Sequence, residues 1–176
     1  MAPGLMRVGL LADSHDRVPA IAEFARRFAE AGVGFVLHAG DWCAPFAIAP
    51  LRAANVAVAG VFGRNDGDRQ GLQAEAAKGM GFELYESPHS VELGDMSILV
   101  VHDIGDVQKR SLAAHAIVVH GCTHKQEMRV RGDTMIINPG EACGWLYGQP
   151  TAAILDLDSK SLEVIRLDGP EWGQRG

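Results

Sequence analysis

Val8-Gly9-Leu10-Leu11-Ala12-Asp13-Ser14-His15 is the stretch that decides how this chain is read. A short apolar run rich in Val and Leu, bounded by polar residues, predicts a buried strand. Two residues of metal-ligand type, Asp13 and His15, follow at its C-terminal end. In extended backbone, residues i and i+2 project to the same side, so the carboxylate and the imidazole are expected to point together. A helix-capping Asp beside a surface His would explain this tripeptide alone. Repetition along the chain argues otherwise.

The same arrangement recurs four times. Phe35-Val36-Leu37-His38-Ala39 runs into Gly40-Asp41, and Val56–Phe62 runs into Gly63-Arg64-Asn65-Asp66. Ser97–Val101 ends at His102-Asp103, and Ala116–Val119 ends at His120-Gly121-Cys122-Thr123-His124. An open α/β sheet gathers its site outside the carboxyl ends of its strands, so five strand ends with Asp, Asn, Cys or His predict one shared site. Between the strands, Ile21, Phe24, Ala25 and Phe28 recur at i, i+3, i+4, i+7 spacing, which predicts a helix over 17–31 with Asp16 as its N-cap. Further helices are expected over 46–54, 68–78 and 106–114. After Gly81 the pattern changes to strands at 90–93, 97–101, 126–130, 134–138, 152–156 and 162–167, joined mostly by tight turns. A parallel first half and a largely antiparallel second half predict two sheets packed face to face, with helices outside.

Composition sets the outer bounds. The chain has 176 residues, 47% hydrophobic, which suits a single packed domain spanning 1–176. A net charge of −6 argues against bulk binding of nucleic acid. No apolar run approaches a membrane span, and no signal peptide is visible, so a cytoplasmic location is expected. Cys43, Cys122 and Cys143 are odd in number and widely spaced, as befits thiols in a reducing compartment.

Asp13-Ser14-His15, Gly40-Asp41, Gly63-Arg64-Asn65-Asp66, His102 and Gly121-Cys122-Thr123-His124 fall in the order of the calcineurin-like metallophosphoesterase motifs. Asn138-Pro139-Gly140-Glu141 resembles a segment of the small prokaryotic phosphodiesterase branch. Gly63–Asp68 matches that branch's Gly-Asn-Asn-Asp-Gly-Asp motif at all but one position. The resemblance spans Arg7 to Leu167. It implies an α/β fold, a four-layer α/β/β/α sandwich of two mixed sheets flanked by helices. It also implies metal-dependent hydrolysis of phosphate esters, most often diesters, by attack of metal-activated water. One or two divalent transition ions would serve, with Mn first and Zn, Ni or Fe as alternatives. The expected partners are a small phosphoester substrate and a second copy of the chain in a homodimer.

By the same resemblance Asp13, His15, Asp41 and His124 hold the first metal, with Asp41 as the bridging catalytic carboxylate. The second metal's ligands would be Asp41, His102 and two further residues, but Arg64 stands where Asn is expected and Cys122 where His is expected. A guanidinium has no lone pair to give a metal. Asn65 shifting into place, or a Cys122 thiolate on a soft ion, would restore the set. Otherwise Arg64 binds the substrate phosphate as a permanent cation, at a cost in rate. Asp66 is read either as orienting a catalytic group or as a local turn cap. His38 and His120 are read as buried residues behind the site, and the apolar 144–147 segment as a pocket wall or subunit contact. The competing reading is a degenerate family member acting as an interaction module, as the retromer subunit of this fold does.

Overall fold

The computed structural model describes residues 6–173. Six strands form one sheet and five form another. Strand β1 (Arg7–Leu11) leads into helix α1 (Val18–Glu30), then β2 (Phe35–His38), a 3-10 turn (Pro45–Ile48) continuing into α2 (Ala49–Ala53), and β3 (Ala57–Val61). Helix α3 (Arg69–Ala76), β4 (Phe82–Tyr85), β5 (His89–Leu93) and β6 (Met96–Val101) follow. Then come α4 (Lys109–Ala113), β7 (Ile117–His120), β8 (Glu127–Arg131), β9 (Thr134–Asn138), β10 (Thr151–Asp156) and β11 (Ser161–Arg166).

The first sheet runs β11-β10-β1-β2-β3-β4 and the second β5-β6-β7-β9-β8. Strands β1 to β4 are mutually parallel, and β10 and β11 close the edge antiparallel. The second sheet departs from the antiparallel expectation: β6, β7 and β9 are parallel, with β5 and β8 antiparallel at its edges. This matters for the site. A parallel core in both sheets aligns the C-terminal ends of β1, β2, β3, β6 and β7 in one direction.

Side-chain alternation builds four layers. Leu11, Val36, Val58, Ala152 and Ile154 face outward onto Ile21, Phe24 and Phe28 of α1 and Leu51 of α2. Leu10, Leu37, Ala59, Val61 and Leu155 face inward and meet Ile98, Val100, Ile117 and Val119 of the other sheet. Leu99, Val101, Val118 and Ile136 pack outward against Leu112 of α4. The order is helices, sheet, sheet, helix. Gly9 sits where β1 passes under α1; a Cβ there would lie 2.7 Å from the Phe28 ring. Only glycine lets the helix approach this closely.

Three local expectations are corrected. Strand β4 was not anticipated; its alternation covers only four residues at a sheet edge. Asp16 does not cap α1, because its carboxylate accepts from Ala44 N at 2.7 Å and ties two loops together. The helix over 46–54 is shorter and begins as a 3-10 turn, since Pro50 lacks the N–H that a continuous helix would donate to the Phe46 carbonyl. Asp68 does cap α3, accepting from Gly71 N at 2.9 Å.

Candidate active site

The loops after β1 and β2 lie side by side, zipped by Asp13 N to Gly40 O, His15 N to Asp41 O and Asp16 N to Trp42 O. Beyond the ends of these strands the chain leaves extended geometry. Asp13, His15 and Asp41 have φ of 50°, 37° and 61°, and Cys122 and His124 have 70° and 62°. Left-handed backbone at so many non-glycine residues is costly and accumulates where geometry serves a site. The convergence of Asp13 and His15 therefore comes from a turn, not from alternation along a strand.

Asp13, His15, Asp41 and His124 each present a ligand atom, all within 4.8 Å of one another. His15 Nε2 lies 3.3 Å from Asp41 Oδ2, and His124 Nε2 lies 3.8 Å from Asp13 Oδ1. Asp13 is fully buried and Asp41 nearly so. Buried side-chain atoms without a hydrogen-bond partner include Asp13 Oδ2, His15 Nε2 and His102 Nε2. His15 Nε2 is near enough to Asp41 for ionic attraction but not aligned for a hydrogen bond. Leaving buried polar atoms without partners is expensive. Lone pairs aimed at one small space from two carboxylates and two imidazoles fit a divalent transition ion.

Charge in the cluster is uneven. Burial lifts the Asp13 carboxyl to about 6, against the pull of His124 and His102. Burial also acts on Asp41, but His15, both N–H groups of Asn65 and His102 outweigh it and hold the group well below the usual carboxylate range. The attraction of Asp41 raises His15.

Supporting contacts fix the rings. His124 Nδ1 is 2.8 Å from Glu141 Oε2, and Glu141 also accepts from Leu146 N and Tyr147 N. With a carboxylate fixing Nδ1–H, Nε2 carries the lone pair toward Asp13. His102 Nδ1 donates to the Ala39 carbonyl at 2.8 Å, which leaves Nε2 facing Asp41 Oδ1 at 3.5 Å. Behind the site, His38 Nε2 is 2.9 Å from Ser14 Oγ and its ring stacks on Trp42. Complete burial pushes His38 down to about 3, so the ring is neutral.

The remaining sequence candidates separate into two groups. Asn65 reaches Asp41 twice, with N at 2.9 Å from Oδ1 and Nδ2 at 2.8 Å from Oδ2. Asp66 does not face the cluster; its carboxylate accepts from the backbone N–H of Asp41, Cys43 and Gly63 and holds the loops in place. Arg64 turns to Asp103, with Nη2 2.5 Å from Oδ2. Cys122 Sγ lies 3.7 Å from the same Asp103 oxygen, while its backbone N–H points at Asp13 Oδ1. Burial and Asp103 push the Cys122 thiol up to about 11. His120 is buried beside Glu127, away from the ligands. Glu141 is a supporting residue to which the motifs assign no role; its place in Asn138-Pro139-Gly140-Glu141, behind the last His motif, is the one signal the sequence carries.

A cavity of about 400 Å³ adjoins His124 and Glu141, lined also by Lys125, Gln126, Tyr147 and Arg166. Another, of about 450 Å³, lies by α4 among Lys109, Arg110 and Arg131, apart from the ligand cluster. Only the first has the chemistry of the site at its wall.

Comparison with known proteins agrees with this geometry. Residues 6–160 match the calcineurin-like phosphoesterase superfamily domain. A phosphodiesterase of Methanocaldococcus jannaschii is 32% identical over 168 residues, covering 93% of this chain and all of its own. The solved structure of an archaeal phosphodiesterase superposes with a TM-score of 0.85 at 31% identity, over 92% of this chain and 100% of that one. The fold is also shared with Vps29 of Chaetomium thermophilum, at a TM-score of 0.66 and 15% identity, over 92% and 97% of the two chains.

Proposed function

Because this chain belongs to the calcineurin-like phosphoesterase superfamily, we propose that it hydrolyses phosphodiesters with water as nucleophile and a transition metal at Asp13, His15, Asp41 and His124. The observation that carries the reading is the cluster of unpartnered buried ligand atoms at Asp13 and His15, facing Asp41 and His124. A divalent ion there supplies Lewis-acid neutralisation of the phosphate and acidifies water. Mixed nitrogen and oxygen donors favour Mn, Fe, Ni or Zn over Mg or Ca, and manganese is the first choice.

The chain's own residues do the rest. Asp41 stays ionised between His15 and His102, and Asn65 fixes its carboxylate in one rotamer. Glu141 aims His124. His102, held by its Nδ1–H on the Ala39 carbonyl, directs a buried Nε2 into the space beside Asp41. Lys125 and Arg166, on the wall of the cavity beside His124, add positive charge next to the cluster. Free cysteines support a cytoplasmic protein. Among the described residues, no helix is long and apolar enough to cross a membrane. The exposed Trp145, Leu146 and Tyr147 support a homodimer.

The altered residues at Arg64 and Cys122 favour a second reading, a non-catalytic interaction module. One experiment separates the two. Asp41→Asn should remove the bound metal and lower hydrolysis of an aryl phosphodiester by about 10²-fold or more, with an unchanged circular dichroism spectrum. A wild-type chain that holds no metal and hydrolyses nothing would leave the interaction module standing.

A further inference from the structure

We propose that this chain holds a single metal and that the Arg64 guanidinium, parked on Asp103, supplies the second positive charge by closing on the phosphate of the substrate. The proposal rests on the metal-dependent reading above and deepens it. Among the described residues, the donors around His102 are too few for a second ion. Asp41 Oδ1 lies 3.5 Å from His102 Nε2, but among the described residues neither group of three or more clustered ligands contains His102 or Cys122. Two donors do not make a site for an ion that takes four to six ligands. Asn65 presents N–H groups to Asp41, and Cys122 Sγ faces Asp103 instead of His102.

In place of the missing ligands stands an exchangeable cation. Arg64 is anchored by its neighbour Asn65, whose backbone N–H is fixed on Asp41, so its arm begins at the rim of the cluster. Its guanidinium pairs with Asp103, with Asp106 at 4.0 Å beyond. Asp103 adjoins His102 in sequence and touches Cys122, so the parked guanidinium already lies at the edge of the second-ion position. The Arg64 side chain is 61% exposed. A pair in which the guanidinium is this exposed holds weakly, and a planar fork matched to two phosphoryl oxygens readily exchanges carboxylate for phosphate. Asp103 thus acts as the resting partner that keeps the arm in place and competes with the anion.

The test is binding of inorganic phosphate to the manganese-loaded chain, together with metal content. Equilibrated with excess Mn²⁺ and desalted, the wild-type chain should retain one ion, and Arg64→Ala should retain the same one. Phosphate should bind Arg64→Ala about 10- to 100-fold more weakly. Asp103→Asn should bind it more tightly than wild type, and that gain should shrink when Arg64 is also replaced by Ala. If Arg64 and Asp103 only brace the loop, the two single variants will shift phosphate affinity in the same direction or not at all, and the proposal fails. Two retained ions per wild-type chain would also overturn it, while leaving the metal-dependent phosphodiesterase intact. Failure to retain any metal would instead overturn the reading on which it rests.

Discussion

A buried carboxylate next to three imidazoles sets function against stability, and Asp13 is where the conflict can be measured. Burial raises its folded-state value from the ordinary 3.8 to about 6, so its stabilising contribution is complete below 3.8 and is lost as pH rises through 6. At pH 8 the metal-free fold therefore carries a buried charge that costs about 1–3 kcal/mol. Asp13→Asn keeps the shape and the acceptor for Cys122 N–H while removing that charge. In urea melts with chelator present, this variant should be more stable than wild type at pH 8, and the advantage should vanish below pH 4. A variant less stable at pH 8 would mean that the carboxylate's attraction to His124 and His102 outweighs its desolvation. At this scale much of the site was legible, because Asp13, His15, Asp41 and His124 belong to residue types and motifs that announce themselves. What sequence concealed was conformation and pairing. Nothing in Asp13-Ser14-His15 reveals left-handed backbone, and nothing in Gly63-Arg64 reveals that the guanidinium turns to Asp103, a residue 39 positions away.

Among the elements, strong periodicity was readable and short or edge pieces were not. Helix α1 and strands β1, β6 and β10 carry long apolar signatures, because each buries a full face. Strand β4 buries only Phe82 and Leu84, on the helix side of the sheet, and pairs along one edge, so its four residues left too little pattern. The parallel pairing of β7 with β9 was equally hidden, because β8 intervenes in sequence and runs to the outside of β9. The segment after Glu141 poses the converse problem, since its apolar residues remain outside. Trp145 is 59% exposed, Leu146 67% and Tyr147 55%. The Arg17 guanidinium lies 4.5 Å from the centroid of the Trp145 ring and the Lys125 ammonium 5.8 Å from that of Tyr147, which holds the rings in place without covering them. Leu146 makes no comparable anchor, and a contiguous exposed apolar surface of this kind is characteristic of an interface. Leu146→Asp is expected to convert a dimeric wild-type chain to monomer in multi-angle light scattering, with catalytic turnover retained. A wild-type mass equal to one chain across a wide concentration range would remove this segment as the contact.

For the molecule as a whole, the ligand cluster joins the two sheets where their core ends. Asp13, His15 and Asp41 follow β1 and β2 of the six-stranded sheet, whereas His124 follows β7 of the other. The apolar layer of Leu10, Leu37, Val100 and Val119 holds the sheets together below this point, but above it the facing groups are two carboxylates and several imidazoles. Without an ion these groups leave buried atoms unsatisfied on both sides of the interface. A metal that binds the folded chain but not the unfolded one stabilises it by mass action, by about 2.7–4 kcal/mol at 100 to 1,000 times its dissociation constant. For a chain of this size each kcal/mol moves the midpoint by about 2–4 °C, so chelation should lower the Tm by about 5–15 °C. Scanning calorimetry with and without EDTA measures this directly, and returning Mn²⁺ should restore the midpoint. The same scans on Asp41→Asn should show almost no response to either treatment, because the variant has lost the carboxylate that joins the site to the β2 loop. A wild-type midpoint indifferent to EDTA, in a protein shown to have been loaded with metal, would mean that the apolar layer alone fixes the sheets. The cluster would then bind its ion without bracing the fold.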